Sequence, residues 1–149
     1  VAAALTLAEA PLIVLDMGTA TTITVVSAEK TVLGTIIAPG LQTSMRALYS
    51  SAAQLGDIPL DSKPELIGRD TRASISSGVL NGNALMIDGF VRNIRETLET
   101  KAHGTSLSLL ATGGAFPLVE PLLRNKFAYS DTLTLLGEAV LYAQNVKKS

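Results

Sequence analysis

The chain has 149 residues, of which 47% are hydrophobic and 17% charged, with a formal net charge of −1. This composition excludes a disordered chain and predicts an extensively buried core in one domain or one lobe of a larger protein. Cysteine is absent and His103 is the single histidine, which excludes disulfides, thiolate metal sites and histidine clusters. The near-neutral charge and the absence of a bilayer-length apolar run predict a soluble, cytoplasmic protein with neither a nucleic-acid nor a membrane partner.

The apolar and β-branched runs predict an α/β lobe. Hairpin-length connections between the first three strands imply antiparallel pairing, and apolar residues at spacings of three and four predict the helices. Strands followed by helices, and then a further strand and helix, are typical of α/β proteins. In chain order we expect a helix end at 1–9, strands at 12–15, 22–27 and 32–38, helices at 41–55 and about 72–100, a strand at 106–112, a helix from 116, an extended piece at 127–129 and a final helix from 133.

A carboxylate and a glycine turn lie between the first two strands, in the stretch from Asp16 to Thr22. A carboxylate at the end of a buried strand is costly unless it binds something, and cations and phosphates are the obvious ligands. Gly18 lets backbone amides approach a phosphate, and the hydroxyls of Thr19 and Thr21 offer further hydrogen bonds. The alternative is a plain hairpin whose aspartate and glycine only form the turn. These residues alone favour the two interpretations equally.

The long helix also carries residues with competing interpretations. Asp70 or Thr71 is expected to cap its start. Gly78, Gly82 and Gly89 fall near one face, and we expect them to serve helix packing, with a dimer interface as one place for it. His103 is most simply a loop residue without a chemical role.

Four motifs in sequence order resemble the type III pantothenate kinases, and the resemblance covers essentially the whole chain. It implies the C-terminal half of a two-lobe kinase: a ribonuclease-H-like (actin-like ATPase) lobe with a three-strand antiparallel meander, helices on the faces of the sheet and further short strands. The motifs are Asp16 to Thr22, Ala38-Pro39-Gly40, Ile67-Gly68-Arg69-Asp70-Thr71 and Ala111-Thr112-Gly113-Gly114.

The resemblance implies an intact protein that transfers the γ-phosphoryl group of ATP to pantothenate, the first step towards coenzyme A. Asp16 matches the aspartate that holds a monovalent cation, potassium or ammonium, and magnesium is expected to accompany ATP. Gly18 and Thr19 are the expected phosphate and ATP contacts, while Gly113 and Gly114 match glycines that lie against the adenosine. Thr71 matches a threonine that reaches pantothenate, in related enzymes across the interface of a homodimer.

Two motifs of the family do not occur in these residues. They are a first phosphate loop, Asp-x-Gly-Asn-Thr, and a Gly-x-Asp-Arg motif whose aspartate acts as the base. We therefore expect residues 1–149 to form a single lobe without the N-terminal lobe, to contain no catalytic residue, and to be inactive alone. Asp70, where asparagine is usual, and Thr35 after Gly34, where paired glycines are common, also depart from the pattern.

Two other functions stay open. The first is a non-catalytic regulatory or binding protein that retains this lobe. The second is another phosphotransferase of the same superfamily, because an Asp-x-Gly-Thr loop serves many substrates.

Overall fold

The computed structural model describes residues 1–51, 59–99 and 106–146. The strands are β1 (Leu12–Met17), β2 (Ala20–Val26), β3 (Val32–Pro39), β4 (Ser108–Thr112) and β5 (Ala128–Tyr129). The helices are α1 (Ala4–Leu7), α2 (Leu41–Ser51), α3 (Thr71–Ser76), α4 (Gly82–Glu99), α5 (Phe116–Val119) and α6 (Leu133–Val146); a π-helical turn, Ser77–Asn81, joins α3 to α4, and a 3₁₀ turn, Glu120–Leu122, follows α5.

The five strands form one sheet in the order β3-β2-β1-β4-β5. The hairpins β1–β2 and β2–β3 are antiparallel, which confirms the predicted meander, whereas β4 runs parallel to β1 and β5 runs parallel to β4. Because β1 is central, the residues at its carboxyl end lie between β2 on one side and β4 on the other.

The sheet is covered on both faces. Alternate residues of β1 enter two separate cores, since successive side chains of a strand point to opposite faces. The larger core packs Ile13, Leu15 and Met17 against α2, the π-helical turn, α4 and α5. The smaller core packs Leu12 and Val14 against α1 and the start of α6. Asp16 follows the same alternation and therefore lies on the face of the smaller core.

The final helix leaves much of its apolar surface uncovered by the described part of the chain. Leu135 is 66% exposed, Tyr142 73% and Val146 55%. No helix among the described residues has the length and apolar character that a membrane crossing requires.

The predicted long helix is present over 71–99 but is not α-helical throughout, because the π-helical turn interrupts it. Its glycines do not pack closely within the described residues: a Cβ built on Gly78, Gly82 or Gly89 meets nothing within 4 Å. The expected helix packing at these glycines is therefore not found among the residues that the structure describes. The end of the helix predicted over 41–55 and the loop residue His103 lie outside the described residues.

Candidate functional site

Gly18 and Thr19 lie between β1 and β2, and because Met17 pairs with Thr21, the loop of this hairpin comprises the three residues 18–20. The Gly18 amide donates a hydrogen bond to the Ala20 carbonyl oxygen over 3.1 Å, and both Gly18 and Thr19 are exposed. The turn therefore presents the Thr19 hydroxyl and two peptide groups at the carboxyl end of the central strand, which is where a phosphate contact was predicted.

Asp16 is the centre of a polar row across three strands. It pairs with Thr22 of β2 and with Thr112 of β4, so the three side chains share one face of the sheet. Asp16 and Thr22 are half-buried and Thr112 is buried. The row forms one wall of a cleft of about 280 Å³, and α6 supplies the other wall with Thr134, Gly137, Glu138 and Leu141. The sheet wall of the cleft thus combines one carboxylate with hydroxyl oxygens, and Glu138 brings a second carboxylate to the facing wall.

The sequence suggested that the hydroxyl of Thr21 offers a hydrogen bond to a ligand. In the structure, the hydroxyl beside Asp16 is that of Thr22. Thr21 pairs with Met17, so it points to the opposite face, where it is 1% exposed. Its Oγ1 has no hydrogen-bond partner among the described residues. The prediction that Thr21 contacts a ligand is therefore wrong. Side chains alternate between the two faces along β2, so that of Thr21 points into the larger core.

The end of β3 and the start of α2 hold the turn in place. A Cβ on Gly40 would stand 2.3 Å from the Thr19 carbonyl oxygen and 2.6 Å from that of Gly18. The Thr43 hydroxyl donates a hydrogen bond to the same Thr19 oxygen over 2.9 Å. Gly40 belongs to a motif that the sequence singled out without a role, and the structure shows that its missing side chain lets two backbones touch.

The loop after β4 approaches the end of β1 just as closely. Gly113 has φ +95°, and a Cβ there would stand 2.5 Å from the Met17 carbonyl carbon. The Ala115 amide also donates to the Met17 oxygen over 3.1 Å. Gly114 differs, because a Cβ there meets nothing within 4 Å and the residue is exposed. Of the two predicted adenosine contacts, Gly113 is thus required by packing, while Gly114 faces open space.

An aromatic pair supports this loop from the neighbouring strand. Tyr129 of β5 stacks on Phe116 of α5 with ring centroids 5.1 Å apart and an interplanar angle of 14°. Its hydroxyl lies 3.5 Å from the Gly113 carbonyl oxygen, and 40% of the residue is exposed. Sequence reasoning predicted the extended piece at 127–129 but assigned no role to Tyr129, because its contact with the loop is a tertiary one.

Thr71 lies in a different cleft. This second cleft, about 560 Å³, is lined by Leu48, Gly68, Arg69, Asp70, Thr71, Ser74, Ile75 and Gly78, none of which lines the cleft at Asp16. Thr71 is the exposed first residue of α3. Within one chain, the structure therefore does not bring the predicted pantothenate contact and the predicted cation ligand into one pocket.

Asp70, and not Thr71, caps α3. Its Oδ1 accepts a hydrogen bond from the Ala73 amide over 2.8 Å. The neighbouring arginines are paired elsewhere: Arg72 with Asp61 at 2.8 Å and Arg69 with Glu65 at 3.9 Å, the latter on an exposed surface. Asp70, the residue that departs from the family pattern, thus serves as the N-cap of α3.

The donor set at Asp16 suits a hard monovalent cation better than a bound transition metal. Carboxylate and hydroxyl oxygens are ligands of hard cations, whereas a protein-held divalent site usually gathers several carboxylates, histidines or thiolates. Among the described residues, no group of three or more His, Cys, Asp or Glu lies together. A magnesium ion would therefore depend on nucleotide phosphates for most of its ligands.

The fold is that of one lobe of the actin-like ATPase fold. A protein of Campylobacter jejuni provisionally described as a Baf family transcriptional activator matches 97% of the chain with a TM-score of 0.64 and 23% identity, and 63% of that protein is covered. An activator of 2-hydroxyisocaproyl-CoA dehydratase from Clostridium difficile, solved with bound ADPNP, matches 95% with a TM-score of 0.54 and 11% identity, and 63% of it is covered. At these identities the likeness establishes the fold.

The chain belongs to the type III pantothenate kinase family, whose family model matches residues 1–93. A type III pantothenate kinase from Hyphomonas neptunium is 39% identical over 90% of the chain and 51% of that protein. The corresponding enzyme from Thermomicrobium roseum is 40% identical over 86% of the chain and 48% of its own length. The chain thus spans about half the length of the curated relatives it matches.

Proposed function

We propose that the protein to which this chain contributes phosphorylates pantothenate with ATP, and that this chain supplies the second of its two phosphate loops. Membership of the family supports the reaction. The observation that carries the role of this lobe is the row formed by Thr22, Asp16 and Thr112 at the carboxyl end of the central strands, directly behind the exposed Gly18-Thr19 turn.

Phosphoryl transfer depends mainly on positioning and on neutralising phosphate charge. In this proposal Gly18 and Thr19 contact ATP, and Gly113 and Gly114 border its adenosine. Gly113 acts by letting the loop lie against β1, since its Cβ position is blocked by Met17. Gly114 offers the direct contact, because its surroundings are open.

Asp16 holds potassium or ammonium in the proposed site. When bound, the cation offsets negative charge on the phosphates. The two hydroxyls of the row add neutral oxygens, so Asp16 is the one charged group within the row. Magnesium arrives with the nucleotide, held largely by its phosphates and by water.

Thr71 contacts pantothenate in a homodimer. The separation of the Thr71 cleft from the Asp16 cleft supports this proposal, because a substrate shared by both requires a second copy to bring them together. The catalytic base belongs to the other half of the protein, so the 149-residue chain alone is expected to be inactive.

The test is an assay of the full-length protein, obtained from the complete reading frame, for ATP-dependent phosphorylation of pantothenate in potassium, ammonium or sodium buffer. We expect turnover with potassium or ammonium and little with sodium, a dimeric mass in solution, and no turnover by the 149-residue chain. Absence of turnover in potassium would favour the non-catalytic alternative. Preference for a sugar in a substrate panel would favour another phosphotransferase of the superfamily.

A further inference from the structure

Residues 61–68, the segment before α3, lie along the helix. Side chains of the π-helical turn fasten this segment to the helix through hydrogen bonds. The Ser77 hydroxyl donates a hydrogen bond to the Leu66 carbonyl oxygen over 2.6 Å. Asn81 Nδ2 lies 3.3 Å from the Glu65 carbonyl oxygen and 3.1 Å from the Ser77 hydroxyl. Ser77 is 8% exposed, so its own bond is largely protected from water, whereas the contact between Asn81 and Glu65 lies at the surface.

The same segment is fastened a second time, by the residue that directly precedes Ser77 and by Arg72. The Asp61 amide donates to the hydroxyl of Ser76, which is fully buried, over 2.9 Å. The Asp61 carboxylate pairs with Arg72 at 2.8 Å. At the far end, a Cβ on Gly68 would stand 2.2 Å from the Ser74 nitrogen, so the two backbones are in contact there. Residues 61–68 therefore have little freedom to move away from the helix.

Ser77 and Asn81 are the first and last residues of the π-helical turn. A π turn inserts extra backbone into an α-helix and shifts the residues that follow it around the axis. Here the turn places Ser77 and Asn81 against the same stretch of backbone, where they also contact each other. Such turns occur frequently at functional sites.

The fastened segment ends at the second cleft. Leu66 lies two residues before Gly68, and Gly68, Arg69 and Asp70 line the cleft together with Thr71. Thr71 is held by α3 itself, whereas the residues before it take their position from the segment. The two carbonyls bound by Ser77 and Asn81 therefore fix the wall that faces the threonine.

We propose that Ser77 and Asn81 are positioning residues for pantothenate: they set the width of the cleft at Thr71 by holding the wall formed by Gly68, Arg69 and Asp70. The inference rests on the proposed role of Thr71 in binding pantothenate. Neither side chain touches the substrate in this proposal; each acts through the backbone it holds.

The test compares Ser77→Ala and Asn81→Ala with the full-length wild-type protein, and Ser27→Ala serves as the matched control. Ser27 is also a serine with 8% exposure and one hydrogen bond to backbone, from the Thr31 amide, but it lies at the β2–β3 turn. Loss of one hydrogen bond of ordinary strength corresponds to about a 3- to 10-fold change in an equilibrium constant. We expect KM for pantothenate to rise by about that factor in both variants, with kcat and KM for ATP within about twofold of wild type.

Hydrogen exchange at the amides of residues 61–70 gives a second readout that does not depend on turnover. We expect faster exchange in Ser77→Ala and Asn81→Ala but not in Ser27→Ala. An active wild type whose KM for pantothenate is unchanged in both variants would overturn the positioning role and leave the proposed function intact. A fall in kcat together with a rise in KM for both pantothenate and ATP would show a merely structural role. That result would also overturn the positioning role. An inactive wild type would instead refute the proposed function, and hydrogen exchange would then report on the fastening alone. Asn81 is only partly buried, so its variant tests the idea even where Ser77→Ala fails to fold.

Discussion

Replacing Gly40 by alanine is expected to displace the phosphate turn. The added Cβ would stand 2.3 Å from the Thr19 carbonyl oxygen and 2.6 Å from that of Gly18, whereas real Cβ contacts essentially never fall under 3.0 Å. One of the two backbones must therefore move by at least about 0.7 Å, and overpacking of this kind costs roughly 1–3 kcal/mol. Each kcal/mol corresponds to about 2–4 °C in Tm for a chain of this size, so we expect a fall of about 6 °C.

The displacement should also affect the reaction, because a misplacement of about 1 Å can lower a rate by roughly 100-fold. The assays are thermal unfolding and kcat/KM for ATP in the full-length protein, where we expect a loss of about 10-fold or more. Gly82→Ala is the control, since nothing lies within 4 Å of its Cβ position and its φ of −59° and ψ of −46° are helical. That variant should be stabilised by about 0.5–1 kcal/mol. A Gly40→Ala protein that unfolds and binds ATP like the wild type would refute the close approach of the two backbones.

The remaining predictions concern hydroxyls and carboxylates. Thr22→Val should lower activity by about 10-fold through loss of a hydroxyl beside the cation, whereas Thr21→Val should leave kcat unchanged and stabilise by about 1 kcal/mol, because its buried hydroxyl has no partner among the described residues. The reverse order in kinetics and thermal unfolding would contradict the assigned faces. Asp16→Asn should lower activity and reduce its dependence on potassium, because the charge balance of the cation is lost; an unchanged potassium dependence in a salt titration would argue against this role. The hydrogen bond from Ser27 lowers the pKa of Glu29 below its ordinary value of 4.5. A lowered pKa stabilises the folded state above about pH 4.5, and this effect fades as pH falls through the folded-state pKa. A carbon-13 NMR titration of Ser27→Ala should therefore show a higher midpoint for Glu29. An unmoved midpoint would refute the hydrogen bond from Ser27 as the cause.

The meander was predictable because its strands are marked by runs of β-branched residues, its first turn by Gly18 and its end by Pro39 and Gly40, although the second turn, at 28–31, contains neither glycine nor proline. The expected strand at 22–27 is present as Ala20–Val26, and the one at 32–38 as Val32–Pro39. The π-helical turn was not predictable in the same way. Its residues continue the apolar pattern of a helix, and the extra backbone shows only through the contacts of Ser77 and Asn81 with a distant segment.

Which face of the sheet each threonine side chain occupies depends on the register of the β1–β2 hairpin. The runs of β-branched residues alone did not define that register. Once the hairpin pairs Asp16 with Thr22, alternation decides that Thr21 is buried. A two-residue turn at Gly18-Thr19 would have paired Asp16 with Thr21; the observed pairing of Met17 with Thr21 adds Ala20 to the loop, which the sequence did not indicate. The partnership with Thr112 required knowing that β4 returns beside β1, and the closeness of Gly40 to the turn required the path of the chain after β3. Both are tertiary facts that local patterns do not contain.

The parallel pairing of β1 with β4 has a consequence for how the molecule folds. Leu12 pairs with Ser108, 96 positions later, while the two hairpins of the meander close over only a few residues. Non-local pairings form slowly because the entropy of closing a long loop must be overcome before any contact is gained. A partly folded chain with an intact meander would therefore contain Asp16 and Thr22 side by side without Thr112, so we expect any ion affinity at Asp16 to develop only after β4 has docked.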